Sequence, residues 1–118
     1  MMKNAKTLLV TGATGVLGST LVEHLLREGH SVIAIGRKKY GLLSDSVVND
    51  NNLVFVQNDL IDFDINVLMD YQIDGILHLA NRGFVDGQGN NNKGIGHDEI
   101  FNVNVRSTRK LIELAELQ

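Results

Sequence analysis

Three glycines spaced by three residues lie between an apolar run and a helix-like run near the start of the chain. They are Gly12, Gly15 and Gly18 in the segment TGATGVLG, residues 11–18, which we call the glycine loop. A pyrophosphate binds where backbone N–H groups point out of a helix N-terminus, at the positive end of the helix dipole. There, the first glycine allows a sharp turn out of a strand, the second admits the anion, and the third lets the helix lie close to the sheet. The spacing therefore predicts a phosphate cradle made by the backbone.

Two other interpretations of the glycine loop compete with this one. A strand-to-helix turn without a ligand is the plainest, and Gly-x-x-Gly-x-x-Gly differs from the common Gly-x-Gly-x-x-Gly dinucleotide fingerprint. A P-loop is excluded, because Gly18 is followed by Ser19 and Thr20 and not by Lys and then Ser or Thr. The apolar run before the loop and the amphipathic pattern after it favour a dinucleotide site.

A run of cations follows the second predicted strand. Arg37, Lys38 and Lys39 come directly after Gly36, and no acid follows before Asp45. At this place in a dinucleotide site a carboxylate pairs with the ribose 2′-OH, whereas an arginine accommodates a 2′-phosphate. The residues therefore favour NADP(H), with Arg37 as the better candidate beside Lys38, and with Lys39 pointing to solvent. NAD(H) is the alternative cofactor, and a solvated basic turn without a ligand is the alternative interpretation.

The elements that must hold these residues alternate between strands and helices. Continuous apolar runs predict buried strands at residues 7–10, 31–36, 53–57 and 75–80. Apolar periodicity predicts helices at 16–28, at 62–71 with Asp62 or Asp64 as the cap, and at 98–117. This order indicates an α/β fold, a Rossmann-like doubly wound parallel sheet of about four strands with flanking helices. The Gly- and Asn-rich residues 82–97 predict a flexible loop within the domain, with a functional loop as the alternative.

Composition argues against several classes of function. The formal net charge is −3 with both signs interspersed, which gives no case for a nucleic-acid or anionic-membrane partner. The chain has no cysteine, and its histidines lack metal-ligand spacing with carboxylates, so no disulfide, thiolate or metal site is expected. No stretch approaches the ~20 apolar residues of a membrane span, and the apolar run near the N-terminus is too short for the apolar core of a signal peptide. We therefore expect a cytoplasmic protein.

Four motifs follow one another along the chain: TGATGVLG, QNDLID, DGILHLAN and NVNVRSTRKLIELAE. Together they make the chain resemble the N-terminal portion of the extended short-chain dehydrogenase/reductase superfamily. These are NAD(P)-dependent epimerases, dehydratases and reductases that act largely on nucleotide sugars. TGATGVLG matches the family's glycine loop, and DGILHLAN matches its Asp-x-Val-x-His-Leu-Ala-Ala strand. QNDLID matches Gly-Asp-Leu-x-Asp, with Asn58 where glycine is usual. NVNVRSTRKLIELAE matches the following helix, with Ser107 and Lys110 in place of Gly and Asn.

The resemblance implies cofactor-binding roles for residues of these motifs. Around the pyrophosphate it places Gly12, Gly15, Val16 and Leu17, with Gly18 behind them. Asp59 would accept a hydrogen bond from the adenine amino group with Leu60 beside the ring, although a turn residue is the plainer interpretation of Asp59. Under the nicotinamide ribose it places Leu79, Ala80 and Asn81, and near the site it places Asn104, which more simply braces the backbone. His78 is expected to be a packed strand histidine and not a base.

The resemblance also implies chemistry that these residues do not carry. In the family a Tyr-x-x-x-Lys pair exchanges a proton while hydride passes to or from the nicotinamide. In this sequence Tyr40 is followed four residues later by Ser44, and Tyr71 by Gly75. We therefore expect residues 1–118 to be the N-terminal part of an NAD(P)-binding Rossmann domain, incomplete relative to the family, and to have no turnover of their own.

Three expectations complete this interpretation. The full-length enzyme is expected to act on a nucleotide sugar or a similar small carbonyl or hydroxyl substrate. The helix at 98–117 has a second apolar side, which needs a second partner. The resemblance implies a homodimer through this side, and the alternative is that the remainder of the full-length enzyme covers it. The alternatives to an enzyme are a non-catalytic dinucleotide-binding sensor module and an inactive truncated fragment.

Overall fold

The fold is a single parallel sheet with helices on both faces. The computed structural model describes residues 5–58, 64–80, 105 and 107–117. Its elements in chain order are β1 (Thr7–Thr11), α1 (Val16–Arg27), β2 (Ser31–Gly36), α2 (Asp45–Val48), β3 (Leu53–Gln57), a 3-10 helix (Ile65–Leu68), β4 (Gly75–His78) and α3 (Ser107–Leu117). The four strands are hydrogen-bonded in the order β3-β2-β1-β4, and every pair is parallel. The prediction of a Rossmann-like sheet of about four strands is confirmed.

Alternating side chains of the strands explain why helices cover both faces of the sheet. Leu9, Ile33 and Ile35 point to one face, where the 3-10 helix and α3 contribute Leu68, Leu111 and Leu114. Val10, Val32 and Ala34 point to the other face, where α1 and α2 contribute Val22 and Val47. The continuous apolar runs of the strands are therefore buried on both sides, as the sequence predicts.

The helix α1 ends where its sequence indicates. Glu28 is the C-cap, and Gly29 follows with a φ of +90°. The Gly29 N–H donates to the Leu26 carbonyl at 3.1 Å, and the His30 N–H donates to the Leu25 carbonyl at 3.1 Å, which is the Schellman arrangement. This stop directs the chain into β2 and leaves the N-terminus of α1 at the opposite edge of the sheet, next to the glycine loop.

Two predicted elements differ from the observed ones. The predicted helix at 62–71 is only the 3-10 helix Ile65–Leu68 within the described residues, since β-branched side chains and Asn66 are poor helix formers. Its cap is Asp64, whose Oδ1 accepts from the Asn66 N–H at 3.0 Å. The strand predicted at 75–80 ends at His78: the Leu79 N–H is shared between the carbonyl and the hydroxyl of Thr11, and the Ala80 N–H donates to the hydroxyl.

Local capping explains the one element that periodicity did not predict. The four-residue helix α2 is too short to show a helical repeat, but the Ser44 Oγ accepts from the Val47 N–H at 3.4 Å. The helix predicted at 98–117 is observed as α3 within the described residues, and its earlier part lies outside them. No helix among the described residues is both long and apolar enough to cross a membrane.

Candidate functional site at the carboxyl edge of the sheet

The described candidate residues gather at one edge of the sheet, where the parallel strands end. The glycine loop follows β1, residues 37 and 38 follow β2, and residues 79 and 80 follow β4. β1 pairs with β2 on one side and with β4 on the other, so the strand order reverses at β1. In open α/β sheets, ligands bind outside the carboxyl ends of the strands at such a reversal. The topology therefore places the glycine loop at the expected position for a ligand site.

Gly12 is fixed by its conformation and by the backbone of the neighbouring strand end. Its φ is +66°, in the left-handed region that favours glycine. A Cβ on Gly12 would lie 2.8 Å from the Ala80 nitrogen and 2.9 Å from the Leu79 carbonyl carbon. The loop after β1 and the end of β4 are therefore in direct backbone contact.

Gly18 is required because α1 lies directly on the glycine loop. A Cβ at this position would collide with the Gly12 carbonyl oxygen and would lie 2.9 Å from the Ala13 Cα. These neighbours are backbone atoms and cannot move aside as a flexible side chain can. The third glycine therefore performs the packing role that its spacing predicts.

Gly15 differs from the other two glycines, because space is open beside it. Among the described residues, a Cβ here would meet only the Gly12 carbonyl oxygen, at 3.6 Å, which is ordinary van der Waals contact. Gly15 caps α1 with an extended backbone, and the next two residues, Val16 and Leu17, are 77% and 67% exposed. The first turn of α1 contains no acid. The positive end of this helix is thus accessible to an anion.

The turn after β2 presents exposed cations on a fixed backbone. We call residues 37–41 the basic turn; its Arg37, Lys38 and Lys39 are exposed. Gln57 on β3 donates from Nε2 to the Arg37 carbonyl at 3.3 Å. Lys39 lies with its Nζ 5.5 Å from the centroid of the Tyr40 ring. The three charged side chains face solvent, as expected both for groups that bind a ligand and for a solvated turn without one.

A single side chain of the glycine loop holds the basic turn in place. A Cβ on Gly36 would lie 2.5 Å from Thr14 Cγ2, and one on Gly41 would collide with Thr14 Cβ. The Leu42 N–H donates to the Thr14 carbonyl at 3.1 Å. Tyr40 has a φ of +62°, which is rare for a tyrosine. Thr14 therefore joins the glycine loop to the turn that bears Arg37.

A hydrogen-bonded cluster lies behind the contact between the loop and β4. The buried Thr11 Oγ1 accepts from the N–H groups of Leu79 at 3.0 Å and Ala80 at 3.2 Å. It also lies 2.6 Å from His78 Nδ1, while His78 Nε2 lies 3.0 Å from Thr108 Oγ1 on α3. Burial lowers the pKa of His78 below its ordinary value. The cluster links the ends of β1 and β4 to α3.

Sequence reasoning missed this cluster, although one signal for it was available. Thr11 precedes the first glycine, and His78 is its direct partner in the register of β1 and β4. Two polar residues at the ends of adjacent buried strands indicate a shared hydrogen bond once the strands are known to be neighbours. The remaining candidates, Asp59, Leu60, Asn81 and Asn104, and the loop predicted at 82–97, lie outside the described residues.

Comparison with known sequences identifies relatives of the chain. The profile of the NAD dependent epimerase/dehydratase family matches residues 8–118. UDP-glucose 4-epimerase of Mycolicibacterium smegmatis is 36% identical over 114 residues, which cover 92% of this chain and 34% of the epimerase. The resemblance drawn from the four motifs is therefore confirmed.

Solved structures share the fold of the chain. The Bordetella bronchiseptica enzyme WbmG, in complex with NAD, has a TM-score of 0.73 and 21% identity over 96% of this chain and 34% of WbmG. MoeE5, in complex with UDP-glucuronic acid and NAD, has a TM-score of 0.68 and 29% identity over 92% of this chain and 32% of MoeE5. The chain spans about a third of the length of these relatives. The profile match along nearly all of its residues shows that the chain belongs to the NAD-dependent epimerase/dehydratase family.

Proposed function

We propose that this chain is the cofactor-binding part of an NAD(P)-dependent oxidoreductase, epimerase or dehydratase. The observation that carries the proposal is the glycine loop at the reversal of strand order. Gly12 and Gly18 are closed against backbone atoms, while Gly15 has open space beside it within the described part of the chain. An opening of this kind at a helix N-terminus fits a pyrophosphate, in a chain that belongs to a dinucleotide-dependent family.

The proposed cofactor is a nicotinamide dinucleotide, since WbmG and MoeE5 are both described in complex with NAD. When bound, it would supply the hydride chemistry of the family. The residues of this chain would bind and orient it. The first turn of α1 would bind the pyrophosphate, and the backbone of Leu79 and Ala80 would support the part that lies over β4.

Within this proposal, the basic turn favours NADP(H) over NAD(H). Arg37 is exposed, and the Gln57 amide holds its carbonyl, so the guanidinium starts from a fixed backbone. A planar guanidinium can give a 2′-phosphate two hydrogen bonds, and Lys38 adds a second cation. No carboxylate follows β2 to pair with an unmodified ribose before Asp45. The NAD complexes of WbmG and MoeE5 support the alternative, which is NAD(H) as the cofactor.

The proposed substrate of the full-length enzyme is a nucleotide sugar or a similar carbonyl or hydroxyl compound. Support comes from UDP-glucose 4-epimerase and from MoeE5, which is described with UDP-glucuronic acid. Neither tyrosine of the 118 residues begins a Tyr-x-x-x-Lys pair. We therefore propose that this chain alone binds cofactor without turnover. The same absence favours a non-catalytic dinucleotide sensor as the second candidate function, with an inactive fragment as the third.

We also propose a homodimer through α3. Its Leu111 and Leu114 are buried against the sheet, whereas Ile112 is 54% exposed on the outward side. A second copy of this chain would cover that side. Sedimentation at rising protein concentration is expected to show a dimer that Ile112→Glu removes.

The cofactor proposal is tested by titrating the chain with NADPH and NADH and following nucleotide fluorescence. The matched variant is Gly15→Ala, because its Cβ has room in the protein but stands where the phosphate would approach. We expect both nucleotides to bind, NADPH more tightly, and the variant to bind roughly tenfold more weakly, the equivalent of one lost charge-assisted hydrogen bond. A folded chain that neither nucleotide saturates at millimolar concentration would overturn the proposal. Tighter binding of NADH would overturn only the role of Arg37.

A further inference from the structure

The hydroxyl of Thr11 has its hydrogen-bonding capacity fully used, and this fixes where its proton points. A hydroxyl has one hydrogen to donate and two lone pairs that accept. The N–H groups of Leu79 and Ala80 donate to Thr11 Oγ1 at 3.0 and 3.2 Å, and the Leu79 N–H also lies 3.3 Å from a more distant acceptor, the Thr11 carbonyl. Because these donors occupy both lone pairs, the Thr11 hydrogen is left for the third neighbour, His78 Nδ1, at 2.6 Å. Nδ1 must then be an acceptor.

An accepting Nδ1 determines the protonation of the whole ring. A neutral imidazole carries its hydrogen on one nitrogen only, so the hydrogen of His78 is on Nε2. Nε2 lies 3.0 Å from Thr108 Oγ1 and donates to it. A protonated ring would place two donors against each other between His78 and Thr11. The proton order along the chain therefore runs from Thr11 to His78 to Thr108 without a break.

We infer that His78 is a positioning residue of the dinucleotide site, held as the neutral Nε2–H tautomer so that Thr11 can accept from both N–H groups at the end of β4. The effect of His78 on cofactor affinity rests on the proposed function. The proton arrangement is independent of the proposed function. His78 acts through Thr11 and the backbone, and it has no assigned contact with cofactor or substrate.

The steric closeness of Gly12 explains why this positioning matters. The two amides that Thr11 holds belong to Leu79 and Ala80, whose backbone would lie within 3 Å of a Cβ on Gly12. A shift of a few tenths of an ångström at the end of β4 would therefore press on the glycine loop or open a gap beside it. The half-buried position of His78, which lowers its pKa, agrees with a ring that stays neutral.

The proton arrangement is tested directly on the unmodified chain. Long-range proton–nitrogen correlation spectra distinguish an imidazole protonated at Nε2 from one protonated at Nδ1 and from the cation. We expect the signal of His78 to show the Nε2–H form at neutral pH. An Nδ1–H tautomer or a cation would overturn the inference, whether or not any dinucleotide binds.

The positioning role is tested with two substitutions of the same shape. His78→Asn keeps an acceptor near the position of Nδ1, whereas His78→Leu fills similar space and leaves the Thr11 hydroxyl without an acceptor. We expect His78→Leu to bind NADPH roughly three- to tenfold more weakly than His78→Asn, the effect of one net hydrogen bond. A ring that only fills space would give equal affinities for the two variants, which would overturn the inference.

A matched control and a second readout keep the outcomes separate. His30 Nδ1 accepts from the Lys6 N–H at 3.0 Å at the opposite edge of the sheet, so His30→Asn should leave NADPH affinity unchanged. Amide hydrogen exchange at Leu79 and Ala80 should be faster in His78→Leu than in His78→Asn, with or without nucleotide. If no dinucleotide binds the unmodified chain, the proposed function fails while this exchange comparison still decides the role of His78. If His78→Leu does not fold, the tautomer measurement decides it.

Discussion

The glycine loop and the basic turn lie side by side at the same edge of the sheet, but they use opposite properties of the chain. In the glycine loop the backbone is what matters: Gly12 and Gly18 touch backbone atoms that leave no room for a Cβ. In the basic turn the side chains matter, since Arg37 and Lys38 are exposed cations with no close packing role. The first region can recognise what all dinucleotides share, and the second can recognise what distinguishes them.

The contact between the two regions shows that the glycine loop also shapes the basic turn. Thr14 belongs to the glycine loop, yet its side chain packs against Gly36 and Gly41 on either side of the basic residues. The basic turn therefore owes its course to the glycine loop, including the left-handed Tyr40, whose ring packs on Phe55 at 5.0 Å between centroids. We expect a substitution of Gly18, which is closed against backbone atoms, to change stability, and substitutions of the basic cations to change selectivity.

The largest expected effect is that of Gly18→Ala on stability. The added Cβ would collide with the Gly12 carbonyl oxygen, and α1 would have to move off the loop. Overpacking against a rigid backbone costs about 3 kcal/mol. We expect the free energy of unfolding in urea to fall by this amount, with the midpoint shifting to lower concentration.

Gly15→Ala is the matched control for this prediction, because its Cβ has 3.6 Å to the nearest atom of the loop. Its loss of stability should stay below ~1 kcal/mol, the scale of a replaced helix cap. Equal losses for the two substitutions would contradict the division of roles among the glycines and would remove the basis for calling Gly15 the open position.

The contrast between the two regions also explains how far the sequence alone could lead. The roles of Gly12 and Gly18 were predictable, because the turn and the close helix demand glycine wherever the loop occurs. The partnership of Thr11 with His78 was not, since it depends on which distant strands become neighbours. The left-handed Tyr40 was not predictable either, because local preference opposes it and tertiary contacts impose it. Asp59 and Asn104 lie outside the described residues and remain predictions.

The next largest effect is expected for Arg37→Asp on cofactor selectivity. The substitution removes a guanidinium that would bind a 2′-phosphate and places a carboxylate there, which repels it. We expect NADPH affinity to fall roughly ten- to hundredfold, as for a lost hydrogen bond between charged groups. NADH affinity should change little, and the urea midpoint should stay in place because the side chain is exposed. Parallel titrations with the two nucleotides measure this difference.

Lys39→Asp serves as the control for Arg37→Asp, since it makes the same change of charge two residues further on. The Lys39 ammonium lies over the Tyr40 ring, so we expect a smaller loss of NADPH affinity there. An equal loss at both positions would indicate general attraction by the basic turn and no specific contact by Arg37. An unchanged NADPH affinity in Arg37→Asp would refute the role assigned to that residue.

The smallest expected effect is a pH dependence of stability that arises at His78, on the glycine-loop side. Burial lowers the pKa of His78 from its ordinary value of 6.5, so the unfolded chain takes up a proton more readily than the folded chain. The contribution of His78 to stability is therefore complete above pH 6.5 and is lost as the pH falls through the lower pKa of the folded state. Urea unfolding at a series of pH values should show stability decreasing on acidification below pH 6.5.

His78→Asn isolates this contribution, because asparagine does not titrate and every other ionisable group is kept. The variant should lose less stability than the unmodified chain over the same fall in pH. The free energy of unfolding then changes with pH at two different slopes, and the difference between the slopes is the contribution of His78. Identical slopes would mean that the ring is as easily protonated in the fold as outside it, which is incompatible with a Thr11 hydroxyl that donates to Nδ1. A difference in slope would therefore show that the geometry at the ends of β1 and β4 depends on a neutral His78 side chain.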